Sequence, residues 1–215
     1  MHQTLRVTWQ VAPLRPPLAR RHCSRCATER PFACSMKFRT NAQKKRIDVW
    51  LIYRCSTCDE VWNLPIFERV SIGDLPSHAF DAIARNDAVL ALHSAFDRRL
   101  LQRHGVHAED CPEPAVEWQV ASGQPETART AEFSIRLVKP WRARLDRFLA
   151  WQLGLGRAGL ASLHEGGQLI ILPPCRNALR HAVTDGQQIG IKLAQDSVGL
   201  RLLETIRTRI GSGSG

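Results

Sequence analysis

Residues 46–67, "RIDVWLIYRCSTCDEVWNLPIF", decide the reading of the fold. A Cys-x-x-Cys knuckle sits there between two runs rich in β-branched and aromatic residues, Ile47–Tyr53 and the run from Val61 to Val70. Such side chains pack well on a pleated surface, so both runs favour extended backbone. The knuckle between them then carries two thiols at a chain reversal. Upstream lies a second knuckle, "CSRC" at 23–26, and residues 27–54 separate the two. That interval supplies its own structure: Phe32, Cys34, Met36 and Phe38 alternate with polar residues, and "TNAQKKR" at 40–46 makes a polar, basic turn before Ile47. The expectation is a three-stranded ribbon clamped at one end.

Cys23, Cys26, Cys55 and Cys58 can meet at a single ion. Each short knuckle points two sulfurs at one place, and four thiolates form the closed tetrahedral shell that suits structural zinc. A sheet this small needs such a clamp to hold together. A closed shell leaves no open position for a water, so the zinc is expected to be architecture and not a catalyst. Disulfides do not fit a chain with no export signal, and a redox dithiol would need one knuckle beside a βαβ unit. His22 is a substitute ligand at most, while Cys34, Cys111 and Cys175 read as small buried apolar residues.

The chain has 215 residues, 44% of them hydrophobic and 23% charged, with six Trp, which is the composition of a folded protein. No apolar run approaches the length needed to cross a bilayer, so a cytoplasmic location is expected. The "GSGSG" at 211–215 reads as a flexible tail. Net charge is +10, unevenly spread: 13 basic against 5 acidic residues in 1–70, 7 against 10 in 71–140, and 10 against 5 in 141–215. Basic segments that hold several unpaired arginines attract phosphate. Lys44, Lys45 and Arg46 add a cluster at the hairpin tip, within reach of a polyanion.

Residues 73–126 form a helical middle and a connector. Pro76 and Ser77 open a first helix with Asp81 in its first turn. Asp87 caps a second that carries Val89, Leu90, Phe96, Leu100 and Leu101 and stops at Gly105. A short strand, Val116–Val120, interrupts the connector. The histidines here, His78, His93 and His104, have no ligand spacing. From 131 the pattern is strand, "AEFSIRLVKP", then an amphipathic helix with Leu145, Phe148, Leu149 and Leu153 on one stripe, ended by Gly154. A second helix runs from about Arg157 to Glu165, and two strands follow, "QLIIL" and "QQIGIKL", with an Asp185-Gly186 turn before the last.

Residues 142–193 resemble the S-four-type RNA-binding domain. Its helix-helix-strand pattern is matched by Arg144-Leu145-Asp146 with Phe148-Leu149, by Gly156-Arg157 at the second helix, by Gly166-Gly167 before a strand and by Asp185 to Ile189. The resemblance implies an RNA-binding two-helix face with Arg144, Arg147 and Arg157 on phosphate. Arg supports such a role independently, since its planar fork of donors grips phosphate oxygens. Pro173-Pro174 stand where the family pattern has Asn-Gly, and Arg176 and Arg180 beyond them are further candidate contacts. Pseudouridine synthases also use an Arg-Leu-Asp segment, but here it begins an amphipathic helix and only about 70 residues follow. Across "RCSTCDEVWNLPIFERV", "NAQKKRIDVWLIY" and "ARND" the chain also resembles a bacterial family of unknown function, the one numbered 1062.

The resulting expectation is an α+β chain with a zinc ribbon at 1–72, a helical segment at 73–126, an S-four-like domain at 127–210 and a tail at 211–215. Its expected role is non-catalytic binding of structured ribosomal RNA, tRNA or a ribosomal particle. The alternatives are a zinc-ribbon protein that binds DNA or serves transcription, and a scaffold that docks partners on its acidic middle.

Overall fold

The computed structural model describes residues 3–193 and 196–211. They form an α+β protein with two compact units. In chain order the elements are β1 (Gln3–Ala12), β2 (Leu18–Cys23), β3 (Thr28–Gln43), β4 (Arg46–Cys55), β5 (Val61–Ser71), α1 (Ser77–Ala84), α2 (Ala88–Ala95) and α3 (Arg98–Arg103). They continue with β6 (His107–Glu109), β7 (Ala115–Ser122), β8 (Ala128–Leu137), α4 (Leu145–Leu153), α5 (Arg157–Glu165), β9 (Leu169–Leu172), β10 (Gln188–Lys192) and α6 (Ser197–Gly211).

Leu14–Cys111 make one unit, built on a sheet of order β5-β4-β3-β2-β6. Strand β4 shows why it forms: Ile47, Val49, Leu51, Tyr53 and Cys55 alternate inward and are all buried. The β3–β4 hairpin turns at Lys44 and Lys45 as the sequence implies, with Lys44 in the left-handed region at φ 55°. Between Cys34 and Phe38 the β3 register shifts, and Met36, at φ 60°, occupies the bulge. Helices α1 to α3 do not form a separate segment. Ala91, Ala95, Leu100 and Leu101 share one buried cluster with Phe32, Leu51, Tyr53 and Leu64 of the sheet. The expected three-stranded ribbon is therefore a five-stranded sheet with helices packed on it.

The long second helix expected after Asp87 is two helices. Asp87 does cap the first, its Oδ1 accepting from the Leu90 N–H at 2.8 Å. Phe96 and Asp97 then break the run, because Asp97 turns its own carboxylate onto the N–H groups of Arg99 and Leu100 at 2.9 and 3.0 Å and starts α3.

The second unit joins residues 3–13 to the described residues from 112 onward. Its sheet has the order β7-β1-β8-β10-β9, antiparallel throughout except for the β1–β8 pair. Assigning residues 3–12 to the ribbon is thus corrected, while residues 1–2 lie outside the described residues. Leu5, Val7, Trp9 and Val11 alternate inward on β1 and form the centre of this other core. Trp9 stacks on Phe133 at 4.3 Å and meets Trp118 and Phe148 edge-on at 5.2 and 5.5 Å. Ala12 pairs with Ala115. The whole first unit is consequently an insertion in the turn of the β1–β7 hairpin. The boundaries at 72/73 and 126/127 both fall inside units, because the strand at 115–122 is completed by β1 and not by its sequence neighbours.

Helix α4 lies over this core, burying Leu145, Phe148, Leu149, Gln152 and Leu153, and ends at Gly154 with φ 65°. Gln152 is fully buried and accepts from Trp118 Nε1 at 2.9 Å. Helix α6 packs against α4 and β7. The sequence pattern alone did not single it out, although Asp196 caps it, accepting from Val198 and Gly199 N–H at 3.1 and 2.8 Å, and Leu202 and Ile206 recur one turn apart on its buried side. Gly211, the first residue of the tail expected at 211–215, is instead the last residue of this helix, and 212–215 lie outside the described residues. No helix of the described residues is long and apolar enough to cross a membrane.

Candidate metal centre and nucleic-acid interface

The two knuckles occupy equivalent places. Cys23 is the last residue of β2 and Cys26 lies just before β3; Cys55 is the last of β4 and Cys58 lies just before β5. In each, the residue after the second cysteine turns the chain through the left-handed region: Ala27 at φ 52° and Asp59 at φ 60°. Backbone bonds close the second knuckle, with Asp59 N–H donating to Cys55 O at 3.0 Å and Cys55 N–H to Glu60 O at 2.9 Å. Ser56 N–H donates to Pro31 O at 2.9 Å, which ties that knuckle to β3 beside the first.

This brings the four sulfurs within 4.8 Å of one another. Cys23 and Cys58 Sγ are 3.5 Å apart, Cys26 and Cys55 Sγ 4.0 Å. A disulfide needs about 2 Å. Metal–sulfur bonds of about 2.3 Å at tetrahedral angles place sulfurs about 3.8 Å apart, so the group has the size of a four-thiolate metal shell. Cys23 and Cys55 are buried and Cys26 and Cys58 half-buried, with His22 outside the cluster and exposed.

Crowding makes the thiols unequal. Burial is the largest influence on Cys55 and pushes it up, but donation from the Thr57 and Cys58 N–H groups and from the Cys58 and Cys23 thiols outweighs it and brings Cys55 down to about 7. For Cys58 the Glu60 backbone pulls down most, yet burial and the three neighbouring thiols together push it up to about 12. Cys26 also rises: the Cys58 thiol lowers it most, but burial and the Cys23 and Cys55 thiols prevail. Four thiolates could share this space only with a cation among them, so binding a metal here means displacing the protons that Cys26 and Cys58 hold. Two arginines flank the group. Arg25 Nη1 donates to Cys58 O at 3.3 Å, and the Arg21 guanidinium stands 4.5 Å over the Trp62 ring. Of the remaining cysteines, Cys111 is buried as expected, Cys34 is only half-buried, and Cys175 is exposed, with its sulfur 3.9 Å from His181 Nδ1.

The candidate RNA contacts are dispersed. Arg144 precedes α4 and forks onto Asp146, its Nη2 and Nε at 2.6 and 3.2 Å from the carboxylate oxygens. Asp146 is 7% exposed, so that pair anchors the first turn of the helix. Arg147 is exposed on α4 and Arg157 is exposed at the start of α5. Helix α4 is about 13 Å long, so Arg144 and Arg157 stand at opposite ends of it. The segment after β9 returns to the first end: Leu145 N–H donates to His181 O and Val183 N–H to Ala143 O, both at 2.9 Å, which brings the exposed Arg180 to the start of α4. Arg176 is exposed earlier in that segment. Among the described residues no carboxylate pairs with Arg147, Arg157, Arg176 or Arg180. Lys44, Lys45 and Arg46 are exposed at the hairpin tip of the other unit.

The acidic middle at 71–140 does not survive as a block. It is divided between the units, which carry 16 basic against 11 acidic residues at 14–111 and 14 against 9 in the rest. Both units are therefore equally basic, each with a net +5.

Fold and site together define an α+β chain with a four-cysteine cluster that can hold a metal ion. Residues 40–173 match the family described as "Protein of unknown function (DUF1062)", and the chain belongs to that family. The matched region contains Cys55, Cys58 and the arginines of α4 and α5. No curated protein and no solved structure matches the chain.

Proposed function

We propose that this chain is a non-catalytic, zinc-containing RNA-binding protein of the cytoplasm, acting on structured ribosomal RNA, tRNA or a ribosomal particle. The observation that carries the reading is that exposed arginines on α4 (Arg147), at the start of α5 (Arg157) and in the segment after β9 (Arg176 and Arg180) have no carboxylate partner among the described residues. Unpaired guanidinium groups attract phosphate and release its counterions. Zinc is the ion of choice for four soft thiolates, and it would be held by Cys23, Cys26, Cys55 and Cys58. Bound there it supplies cross-linking. Four sulfur ligands leave it no site for water, so its contribution is to hold the ends of β2 and β4 together.

The test measures affinity for structured RNA against salt. Arg147→Ala and Arg157→Ala should each weaken binding and reduce the slope of log K against log salt by about 0.7–0.9 for each phosphate that is no longer neutralised. Unchanged slopes in the double variant reject the α4–α5 face. The exposed Lys44, Lys45 and Arg46 support a rival reading, a DNA-binding or transcription-associated protein. Tighter binding of duplex DNA than of structured RNA at matched salt, abolished by neutralising that tip, would favour it.

A further inference from the structure

The exposed side of α4 carries more than charge. Arg147 and Trp151 are one turn apart and so share a face of the helix. Trp151 keeps 36% of its surface exposed. Arg209 of α6 stands 5.9 Å from its ring and donates from Nη2 to Trp151 O at 3.3 Å, which holds the indole on one side. Beside it lies a recess of about 130 Å³, walled by Pro112, Glu113, Trp141, Arg147, Phe148 and Trp151. Its back is firm: Trp141 and Phe148 are 3% and 1% exposed and meet edge-on at 5.8 Å.

The volume equals about four waters at ~30 Å³ each, enough for one planar ring system. The walls are aromatic and apolar, and the mouth carries one acid, Glu113, against Arg147 with Arg209 close by. A flat, polarisable group with an anion attached satisfies both parts. Every nucleobase has a face to stack and a phosphate a few ångströms away, which is why aromatic side chains beside arginine hold single-stranded nucleic acid.

We infer that this recess takes one unpaired nucleobase of RNA, stacked against Trp151, with the adjoining phosphate held by Arg147. The inference rests on the RNA reading and narrows it. A base inside a helix presents only its edge, so a fully paired stem does not fill the recess, and the preferred RNA has a bulged or looped-out nucleotide next to a stem.

Fluorescence anisotropy with the full chain decides it, using two labelled hairpins that differ by one bulged nucleotide. The bulged hairpin should bind tighter. Trp151→Ala should remove about 5- to 150-fold of that preference, the worth of one stacked base, while Trp151→Phe retains most of it. The phenylalanine variant keeps a ring in the fold, and circular dichroism checks both variants. Equal affinity of the wild type for the two hairpins overturns the recess and leaves the RNA reading standing, as does a bulge preference that survives Trp151→Ala. No binding to either hairpin at low salt overturns both.

Discussion

Removing the metal should cost the unit at 14–111 a definite part of its stability. An ion held by the four cysteines cross-links Cys26 to Cys55 and so encloses about 30 residues. Cross-linking a loop of that length removes about 3.6 kcal/mol of unfolded-chain entropy at 25 °C. A unit of about 100 residues unfolds with an entropy near 0.2 kcal/mol/K, so the loss corresponds to a fall in Tm of roughly 15–20 °C. The measurement has three parts. Elemental analysis counts the metal in purified protein, thermal circular dichroism compares untreated protein with chelated protein and with Cys55→Ser, and hydrogen exchange read by mass spectrometry localises the change. Peptides from β2 to β6 should lose protection, while those of β1, β8 and α4, which have their own aromatic core, should hold it. Metal-loaded protein that melts within about 3 °C of its chelated form, or a chain that purifies fully folded with no bound metal, would rule out this cross-link.

Proton counting tests the same site. At pH 7 zinc should displace nearly one proton each from Cys26 and Cys58, whose pKa values lie above the usual 9.0, and about half from Cys55 at about 7. Calorimetry in buffers of different ionisation enthalpy gives the number, and fewer than about two protons counts against it. In metal-free protein the stability tied to Cys55 is present above 9.0 and lost as pH falls through about 7; that tied to Cys58 is present below 9.0 and lost as pH rises through about 12. Urea midpoints of chelated, reduced protein should therefore peak near pH 9. Arg144→Ala leaves the buried Asp146 without its fork and should destabilise by about 1–2 kcal/mol, whereas Arg147→Ala should stay within about 0.5 kcal/mol of wild type in the same urea titration. Gly123→Ala should cost roughly 2–4 kcal/mol. Gly123 sits at φ +86°, and an added Cβ would fall 2.5 Å from Thr4 O and 2.9 Å from Leu5 Cα, both backbone atoms that cannot swing aside. A denaturation midpoint near wild type would deny that approach.

Local patterns were legible because they depend on neighbours in the chain. The Cys-x-x-Cys spacing set each pair of thiols, and the alternation of Ile47, Val49, Leu51 and Tyr53 set a half-buried strand. Gly154 and Asp87 marked the ends of helices through a left-handed residue and a side-chain cap. Bulk charge was legible too, but its meaning was not, since Arg144 is spent on Asp146 and Arg147 is not. Trp151 could have been noticed four residues after Arg147; nothing in the sequence placed Trp141 or Pro112 beside it.

Two thiol pairs, a β-rich first half and two capped amphipathic helices were written in the chain, since each rests on preferences acting over a few residues. Tertiary structure alone decided what they belong to. Strand β1 has the same alternation as the ribbon strands, yet it pairs with β7 and β8 more than a hundred residues away, because Trp9 completes a core with Phe133, Trp118 and Phe148. Pairing across such separations is chosen by how side chains pack, which no local pattern records. The same holds for the four sulfurs: two knuckles were written in the chain, and folding β2 beside β3 and β3 beside β4 made them one site.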